Sequence, residues 1–259
     1  MDSYVIIDLG YFTCYRYFAA KKWLGFRKEL NQETPWTCEE TFRKILLGQY
    51  EKNLKKLAKG KIPYLAMEGM DGKNWRKELY CDYKAQRPKN PDLYALFKYI
   101  SNEFLPKFIM ENKEFKLLQK AGTEADDHIA LKTIELLKKN PNVKIDIISA
   151  DLDFLQLVED TNNIEIYDMN YKIKSDKPLK GQAYLKRKII YGDNSDNIKP
   201  VHSGKGSTKI KQALVEYLNN VDNLDNVEKE VFEKLSTDSF DKFSLNRKLI
   251  DFNMISNVP

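Results

Sequence analysis

The stretch Val143-Lys144-Ile145-Asp146-Ile147-Ile148-Ser149-Ala150-Asp151-Leu152-Asp153 joins a mostly apolar run to two closely spaced acids. A short apolar run of this kind predicts a buried strand. The arrangement recurs at residues 4–9, where Asp8 lies near the end of the run, and at residues 62–67, directly before Glu68. The sequence thus predicts several buried strands that end in carboxylates.

Helical patterns separate these strands. They cover residues 39–59 behind a Thr37-x-x-Glu40 capping box, residues 93–111, and residues 124–139 with Thr123 as the expected N-cap. Alternating strands and helices predict an α/β fold with a mostly parallel sheet flanked by helices. In such sheets the ligand crevice lies outside the carboxyl ends of the strands, which is where the acids fall.

The chain is predicted to contain two parts. Residues 1–180 carry the strand signals, whereas residues 181–259 show only short helical patterns, at 182–191, 208–218, 227–235 and 239–251, and are predicted to form a helical subdomain. Residues 70–90 are polar and turn-rich, with basic and aromatic side chains interleaved. We interpret this segment as an arch that faces DNA.

The composition is that of a soluble globular protein. The chain has 259 residues, 42% of them hydrophobic, and its apolar runs are all shorter than a membrane span requires. We therefore expect a cytoplasmic protein, in the host cytoplasm if a phage encodes it. The three cysteines, Cys14, Cys38 and Cys81, form no Cys-x-x-Cys pair, which favours reduced thiols over a disulfide framework or a zinc ribbon.

Acidic residues occur in clusters that predict one metal site. Carboxylates repel one another, so several in one pocket require cations, and an all-oxygen ligand set favours Mg²⁺ or Mn²⁺. Two such ions on one phosphodiester are the leading hypothesis. The net charge of +5, with many carboxylates gathered in the clusters, suits a polyanionic partner. The clustered acids are Asp8, Glu68, Glu124, Asp126, Asp127, Asp151, Asp153, Asp193 and Asp196.

Each cluster also has a purely structural interpretation. The acids of residues 124–127 could simply offset the dipole of a helix, and Asp151 or Asp153 could be the N-cap in a strand-to-helix turn. Residues 192–197 have the composition of a loop with Asx turns. Only the coincidence of the clusters favours a metal site over these alternatives.

Five segments resemble the 5′ nuclease superfamily of flap endonucleases, 5′-exonuclease domains of bacterial DNA polymerases and phage relatives. They are the Asp8 strand, Tyr83-Lys84-Ala85-Gln86-Arg87, Glu124-Ala125-Asp126-Asp127, Ser149-Ala150-Asp151-Leu152-Asp153 and Gly192-Asp193-Asn194-Ser195-Asp196-Asn197-Ile198. Asn74-Trp75-Arg76-Lys77 and residues 246–252 also resemble the branch of T-even-type phage ribonuclease H. The resemblance covers nearly the whole chain.

The resemblance implies a role for each acid. Asp8, Glu124, Asp126 and Asp151 would surround a first metal ion, and Asp127 would support them. A second ion would be held or shaped by Asp153, Asp193 and Asp196. The chain departs from the family at Glu68, where an Asp is usual, and Asp71 is the alternative ligand.

The resemblance also implies nucleic-acid contacts. Lys84 and Arg87 would be the basic pair at the scissile phosphate, although a solvated basic face is the alternative. Of Trp75, Tyr80 and Tyr83, we expect one to stack on a base. The segment Gly204-Lys205-Gly206-Ser207-Thr208, with Lys209, resembles the hairpin of a helix-three-turn-helix region that meets duplex phosphates, often with bound K⁺. Arg76 completes the predicted nucleic-acid-binding set.

The predicted function is that of a metal-dependent 5′ to 3′ exonuclease and flap endonuclease with RNase H activity. It would remove RNA primers or 5′ flaps in replication and repair, using two Mg²⁺ ions that Mn²⁺ can replace. The expected substrates are flap, nicked or branched DNA and RNA·DNA hybrid. The resemblance further implies a monomer that works with a sliding clamp and a single-strand-binding protein. The alternatives are a catalytically weak protein that binds branched DNA and a PIN-type single-strand ribonuclease.

Overall fold

The structure, a computed structural model, describes residues 2–27 and 35–257. It contains two compact units. The sheet unit comprises Met1–Lys73, Pro88–Phe154 and Asp160–Asp176, and the helical unit comprises Asn74–Arg87, Leu155–Glu159 and Lys177–Pro259. The chain finally enters the helical unit close to the predicted boundary at residue 180, but two earlier segments also belong to that unit. One of them, Asn74–Arg87, takes up most of the predicted arch.

The sheet unit is built on one parallel sheet, as predicted. Its strands lie in the order β3-β2-β1-β4-β5, and every neighbouring pair is parallel. Asp8 lies opposite Ala66, and Ile7 lies opposite Ile148. The strands are β1 (Ser3–Asp8), β2 (Ile62–Ala66), β3 (Lys116–Leu118), β4 (Lys144–Ile148) and β5 (Asn163–Tyr167).

The strand order places a topological switch point beside Asp8. From β1 the chain goes to β2 on one side and later to β4 on the other side. Parallel sheets bind ligands outside the carboxyl ends of the strands at such a point. β1 ends at Asp8, and β4 ends at Ile148, shortly before Asp151. The acids at these two strand ends therefore share one edge of the sheet. We call it the acid edge.

Eleven α-helices occur in the described ranges. A π-helical turn at Ile100–Phe104 joins two of them into the single pattern predicted for residues 93–111. The helices are α1 (Leu9–Phe26), α2 (Pro35–Cys38), α3 (Glu40–Ala58), α4 (Trp75–Leu79), α5 (Pro91–Tyr99), α6 (Leu105–Glu111), α7 (Ala125–Lys139), α8 (Gly181–Tyr191), α9 (Ser207–Asn219), α10 (Lys229–Glu233) and α11 (Ser239–Ile250).

The sequence did not reveal α1, although its buried positions follow a helical period. Leu9, Phe12, Tyr17, Ala20 and Leu24 are all buried at spacings typical of one helix face. The other face carries exposed Phe18, Trp23 and Phe26. These aromatic residues make the helix apolar on both faces and hide its period.

Two predicted helix starts are wrong. Thr37 does not cap α3, because it lies in α2 and its hydroxyl and amide both bond to Asp92. Glu39 is the N-cap of α3, without a side-chain hydrogen bond. Thr123 does not cap α7 either: Glu124 does, and the Thr123 hydroxyl donates to Lys120 O at 2.8 Å.

Asp92 ties the start of α5 to α1 and α2. One carboxylate oxygen accepts from Tyr17 Oη at 2.7 Å and Trp36 N at 2.9 Å, and the other accepts from Thr37 N and Oγ1 at 3.0 and 3.1 Å. The residue is only 5% exposed, so water cannot replace these bonds.

Asp92→Ala should lower the free energy of unfolding by about 2 to 3 kcal/mol, because it leaves buried donors without an acceptor. Urea denaturation followed by circular dichroism measures this loss. Asp92→Asn, which keeps one acceptor oxygen, should lose less. Equal stability of Asp92→Ala and the wild type would contradict the role assigned to this carboxylate.

The helical unit has a core of its own. Leu185, Ile189, Leu214, Phe232 and Phe243 pack together from four of its helices. The four short helices predicted for the C-terminal part are therefore present, with α10 shorter than expected. In the described ranges, every helix is too short or too polar to cross a membrane.

Candidate metal centre

Asp8, a predicted metal ligand, is buried at the end of β1. Its Oδ1 accepts from Tyr11 N at 3.0 Å and so caps α1, and its Oδ2 accepts from Ser149 Oγ at 2.8 Å. Burial is the main reason why the pKa of Asp8 is raised, and the negative charge of Asp151 raises it further. Asp8 and Asp151 therefore lie close enough to repel each other.

Ser149 links the two strand ends. While its hydroxyl donates to Asp8, it also accepts from Asp151 N at 3.1 Å. Asp151 Oδ1 in turn accepts from Asp153 N at 2.8 Å. One oxygen of Asp151 thus makes the backbone contact that is typical of an Asx turn. No role was predicted for Ser149, although its hydroxyl, directly after the predicted strand and two residues before Asp151, was an available signal.

Glu68 lies on the same edge, beyond β2. Burial and then the negative charges of Asp8 and Glu68 raise the pKa of the Cys14 thiol to about 11, which places both carboxylates near Cys14. Asp71, the alternative ligand, accepts from Gly122 N at 3.1 Å and joins two loops. Asp71 thus has a structural contact, and the choice between Glu68 and Asp71 as the ligand stays a prediction.

Gly69 brings the loop after β2 against the loop before α7. Its N–H donates to Thr123 O at 2.9 Å. A side chain at this position would collide with Lys120 O and lie 3.0 Å from Gly122 N. The backbone contact therefore holds Glu68 near the start of α7, where Glu124 and Asp126 are half-buried.

Asp127 has a structural function in α7. It is fully buried, and its Oδ2 accepts from Glu124 N at 3.0 Å as part of a capping box. This contact fixes the backbone that carries Glu124 and Asp126. That Asp127 also supports the metal cluster stays a prediction.

In the helical unit, the Asp193 carboxylate contacts the Lys188 ammonium group and the turn at Ser195. Its Oδ1 accepts from Ser195 N and Oγ, both at 2.7 Å, while Lys188 Nζ lies 2.7 Å from Oδ2. Burial alone would raise the pKa of Asp193, but Lys188 and then Ser195 outweigh it and lower the pKa to about 2. The predicted Asx turn is present, and sequence reasoning missed Lys188, which lies on the preceding helix.

Asp196 forms ion pairs with both predicted basic residues, Lys84 and Arg87. Its carboxylate lies 2.7 Å from Arg87 Nη2 and 3.7 Å from Lys84 Nζ, and it accepts from Tyr83 Oη at 3.0 Å. The backbone of Lys84 also donates to Asp196 O at 2.9 Å. The predicted phosphate-binding cations and this predicted metal ligand are therefore neighbours.

Two residues must be withdrawn from the predicted nucleic-acid-binding set. Arg76 is 3% exposed, and its Nε donates to Leu249 O at 2.9 Å. Tyr83 is 2% exposed and packs in the core of the helical unit. Trp75 is also buried. Three of the basic and aromatic residues that suggested a DNA surface are therefore core residues, whereas Lys73, Lys77, Arg87 and Lys89 of the same segment are exposed.

The hairpin segment at residues 204–209 begins α9. Gly204 and Gly206 have φ angles of +112° and +77°, a region that favours glycine, and Gly206 is the N-cap. Lys205, Thr208 and Lys209 are exposed, and Ser207 is half-buried. The first backbone amides of α9 come directly after Gly206. A helix N-terminus of this kind is where a phosphate contact would form.

Comparison with known proteins decides the family. A model of the 5′-3′ exonuclease family, N-terminal resolvase-like domain, matches residues 3–189, which is more than two thirds of the chain. The chain belongs to this family. The 5′-3′ exonuclease family consists of nucleases, so the superfamily resemblance and the assignment as a phosphodiester hydrolase are confirmed. The narrower resemblance to T-even ribonuclease H stays a prediction.

Two relatives carry the family name. A 5′-3′ exonuclease of Mycoplasmopsis pulmonis is 26% identical over 96% of this chain and 76% of its own length. A 5′-3′ exonuclease of Buchnera aphidicola is 31% identical over 69% of this chain and 59% of its own length. The chain thus spans only part of the second relative.

Solved structures of the bacteriophage T5 D15 protein share the fold. One, co-crystallized with metal ions, has a TM-score of 0.62 and 20% identity over 96% of this chain and 89% of the T5 chain. Another, a flap endonuclease variant in a complex with DNA and metal ions, has a TM-score of 0.58 and 19% identity with the same coverage. The likeness supports the α/β fold with its parallel sheet.

Proposed function

We propose that this protein is a metal-dependent 5′ to 3′ exonuclease and flap endonuclease. The observation that carries the proposal is the pairing of Asp8 and Asp151 at the switch point through Ser149. In the described part of the chain, no basic side chain forms an ion pair with either acid. Two neighbouring carboxylates without a cation suit a ligand of positive charge.

The residues of the acid edge fit divalent metal ions. Hard cations prefer oxygen ligands, and this edge offers Asp8, Glu68, Asp151 and the acids at the start of α7. Burial and the negative charge of Asp151 raise the pKa of Asp8. A bound cation would lower this pKa by stabilising the ionised carboxylate. Mg²⁺ is proposed, with Mn²⁺ as a substitute, and Asp153, Asp193 and Asp196 stay predicted ligands of the second ion. K⁺ at residues 204–208 is likewise only proposed.

The bound ions would supply Lewis-acid stabilisation of the phosphodiester and a water of lowered pKa. The protein residues have separate tasks. Asp8 is held in place by the first turn of α1 and by Ser149. Lys84 and Arg87, positioned by Asp196, are proposed to balance negative charge on the transferring phosphoryl group. The histidines are not needed as bases: His128 contacts the Thr123 hydroxyl at 2.9 Å, and His202 is half-buried in a loop.

The proposed substrates are 5′ flap, nicked or branched DNA and RNA·DNA hybrid. The T5 flap endonuclease in a complex with DNA supports DNA binding by a protein of this fold. The proposed duplex contacts are the backbone and lysines of residues 204–209, which would read phosphates without a base code. Primer removal, a sliding clamp, a single-strand-binding protein, a monomeric state and a cytoplasmic location stay predictions.

The proposed function is tested by comparing substrates of equal length at saturating Mg²⁺. We expect short 5′ fragments from a 5′-labelled flap duplex and from RNA·DNA hybrid, and little cleavage of single-stranded RNA. Preferred cleavage of single-stranded RNA would instead support a PIN-type ribonuclease. Tight flap binding without cleavage in Mg²⁺ or Mn²⁺ would identify a branched-DNA-binding protein.

Lys84→Ala should lower the single-turnover cleavage rate on the order of 100-fold, as expected for the loss of a charge that stabilises the transition state. Flap binding should change little, because one phosphate contact contributes only part of the affinity. Lys77→Ala is the control, since Lys77 is an exposed residue of the same unit. Equal rates for the two variants would remove Lys84 from the proposed mechanism.

A further inference from the structure

A cavity lies in the sheet unit between α1 and α3. Its volume is about 610 Å³, within the usual range of small-ligand pockets. Arg16 and Trp23 of α1 line it, together with Lys44, Ile45 and Gln49 of α3. None of these residues belongs to the predicted metal or nucleic-acid-binding set. The α1–α3 pocket therefore needs its own explanation.

The charges of the pocket favour an anion. Its described lining contains two cations, Arg16 and Lys44, and no acid. Arg16 Nε is buried, and the described residues provide it with no hydrogen-bond acceptor. A buried donor of this kind costs free energy unless a ligand or another group accepts from it. A phosphate or carboxylate oxygen would satisfy it.

The walls of the pocket favour a flat molecule that carries this anion. Trp23 is 47% exposed, whereas Trp36 and Trp75 are 6% and 9% exposed. Arg27 adds a cation 4.9 Å from the centre of the Trp23 ring. Ile45 and Leu46 supply apolar surface. An accessible indole beside cations is the combination that stacks a base and holds its phosphate.

We propose that the α1–α3 pocket binds a nucleotide, with the phosphate at Arg16 and Lys44 and the base against Trp23. The site goes beyond the proposed function and rests on the pocket alone. A free nucleoside monophosphate and one unpaired nucleotide of a strand have the same chemistry. Binding experiments with each distinguish the two sources.

Gly48 offers a sharp test because it lines the pocket and a side chain there meets no atom within 4 Å. Gly48→Glu places a carboxylate beside the two cations and also improves helix propensity, so folding should be preserved. Lys44→Glu tests the charge at a second, exposed position. The matched control is Gly25→Glu, because Gly25 also lies in a helix with open space around it but does not line the pocket.

Binding is measured by calorimetry and by tryptophan fluorescence with dAMP, a short oligodeoxynucleotide and inorganic phosphate as separate probes, without added metal. We expect saturable binding of dAMP, the oligodeoxynucleotide or both, with a Kd below about 1 mM. Gly48→Glu and Lys44→Glu should each weaken it about tenfold or more, while Gly25→Glu should not.

The probe that binds shows whether the nucleotide is free or part of a strand. Binding of dAMP would identify a free nucleotide, and binding of the oligodeoxynucleotide alone would identify a strand. The proposal is overturned if neither probe shows binding that the two pocket variants weaken, or if inorganic phosphate binds as tightly as dAMP. A failure of the proposed nuclease activity leaves these results unaffected, since no cleavage is measured.

Discussion

Asp8→Asn is expected to abolish metal-dependent cleavage without harming the fold. Losing an outer-shell partner of a metal ligand typically costs about 10- to 100-fold in affinity or activity, so a direct ligand should cost more than about 100-fold. The substitution keeps the shape of the side chain and an oxygen that can accept from Tyr11 N, so the cap of α1 should persist. Flap binding should be largely retained.

The stability of Asp8→Asn should equal or exceed that of the wild type when metal is absent. Burial raises the pKa of Asp8, so the ionised carboxylate is less favourable in the folded state than in the unfolded state. This contribution reduces wild-type stability as the pH rises through the pKa of the folded state. Asn carries no charge, and its variant therefore avoids that loss at neutral pH.

Thermal unfolding with and without Mg²⁺ separates these effects. A ligand that binds only the folded state raises its stability, so Mg²⁺ should raise the Tm of the wild type more than that of Asp8→Asn. Asp2→Asn is the matched control, because Asp2 is exposed at the opposite end of β1. Equal Mg²⁺ responses in all three proteins would show that Asp8 binds no cation.

Gly192→Ala should destabilise the helical unit by about 3 to 5 kcal/mol. Gly192 ends α8 with φ = +69°, where a side chain is strained. Its side chain would also collide with Ile198 O and lie 2.7 Å from Lys199 C. The loop cannot yield easily, because Asp193 and Ile198 exchange backbone hydrogen bonds of 2.9 and 2.7 Å. Asp193 and Asp196 should be displaced together.

Urea denaturation of Gly192→Ala, with flap cleavage measured in parallel, tests this expectation. Gly60→Ala is the control for backbone strain alone, since Gly60 has φ = +75° with no atom within 4 Å of a side chain. The control should lose about 1 kcal/mol. If both variants lost the same amount, the close approach at Gly192 would not be a structural constraint.

The sequence was sufficient for the three central strands of the sheet and most of its acid edge. The apolar runs before Asp8, Glu68 and Asp151 form strands, and their parallel arrangement follows from the helices between them. It was not sufficient for β3 and β5. The first has only three residues, and the second, Asn163–Tyr167, mixes polar and apolar side chains at the sheet edge.

Contacts distant in sequence account for the remaining errors. Thr37 fits a capping box locally, but its bonds to Asp92 depend on the packing of α5. Arg76 and Tyr83 look like surface residues in a polar segment, yet the helical unit buries them. Tertiary packing overrides local propensity in each case.

The most direct test of the metal-dependent nuclease assignment is single-turnover cleavage of a 5′-labelled flap duplex by the wild type and Asp8→Asn, in Mg²⁺ and in EDTA, with flap binding measured alongside. The assignment predicts short labelled 5′ fragments from the wild type in Mg²⁺ alone, and none from Asp8→Asn despite retained binding. Equal cleavage in EDTA, or full activity of Asp8→Asn, would contradict it.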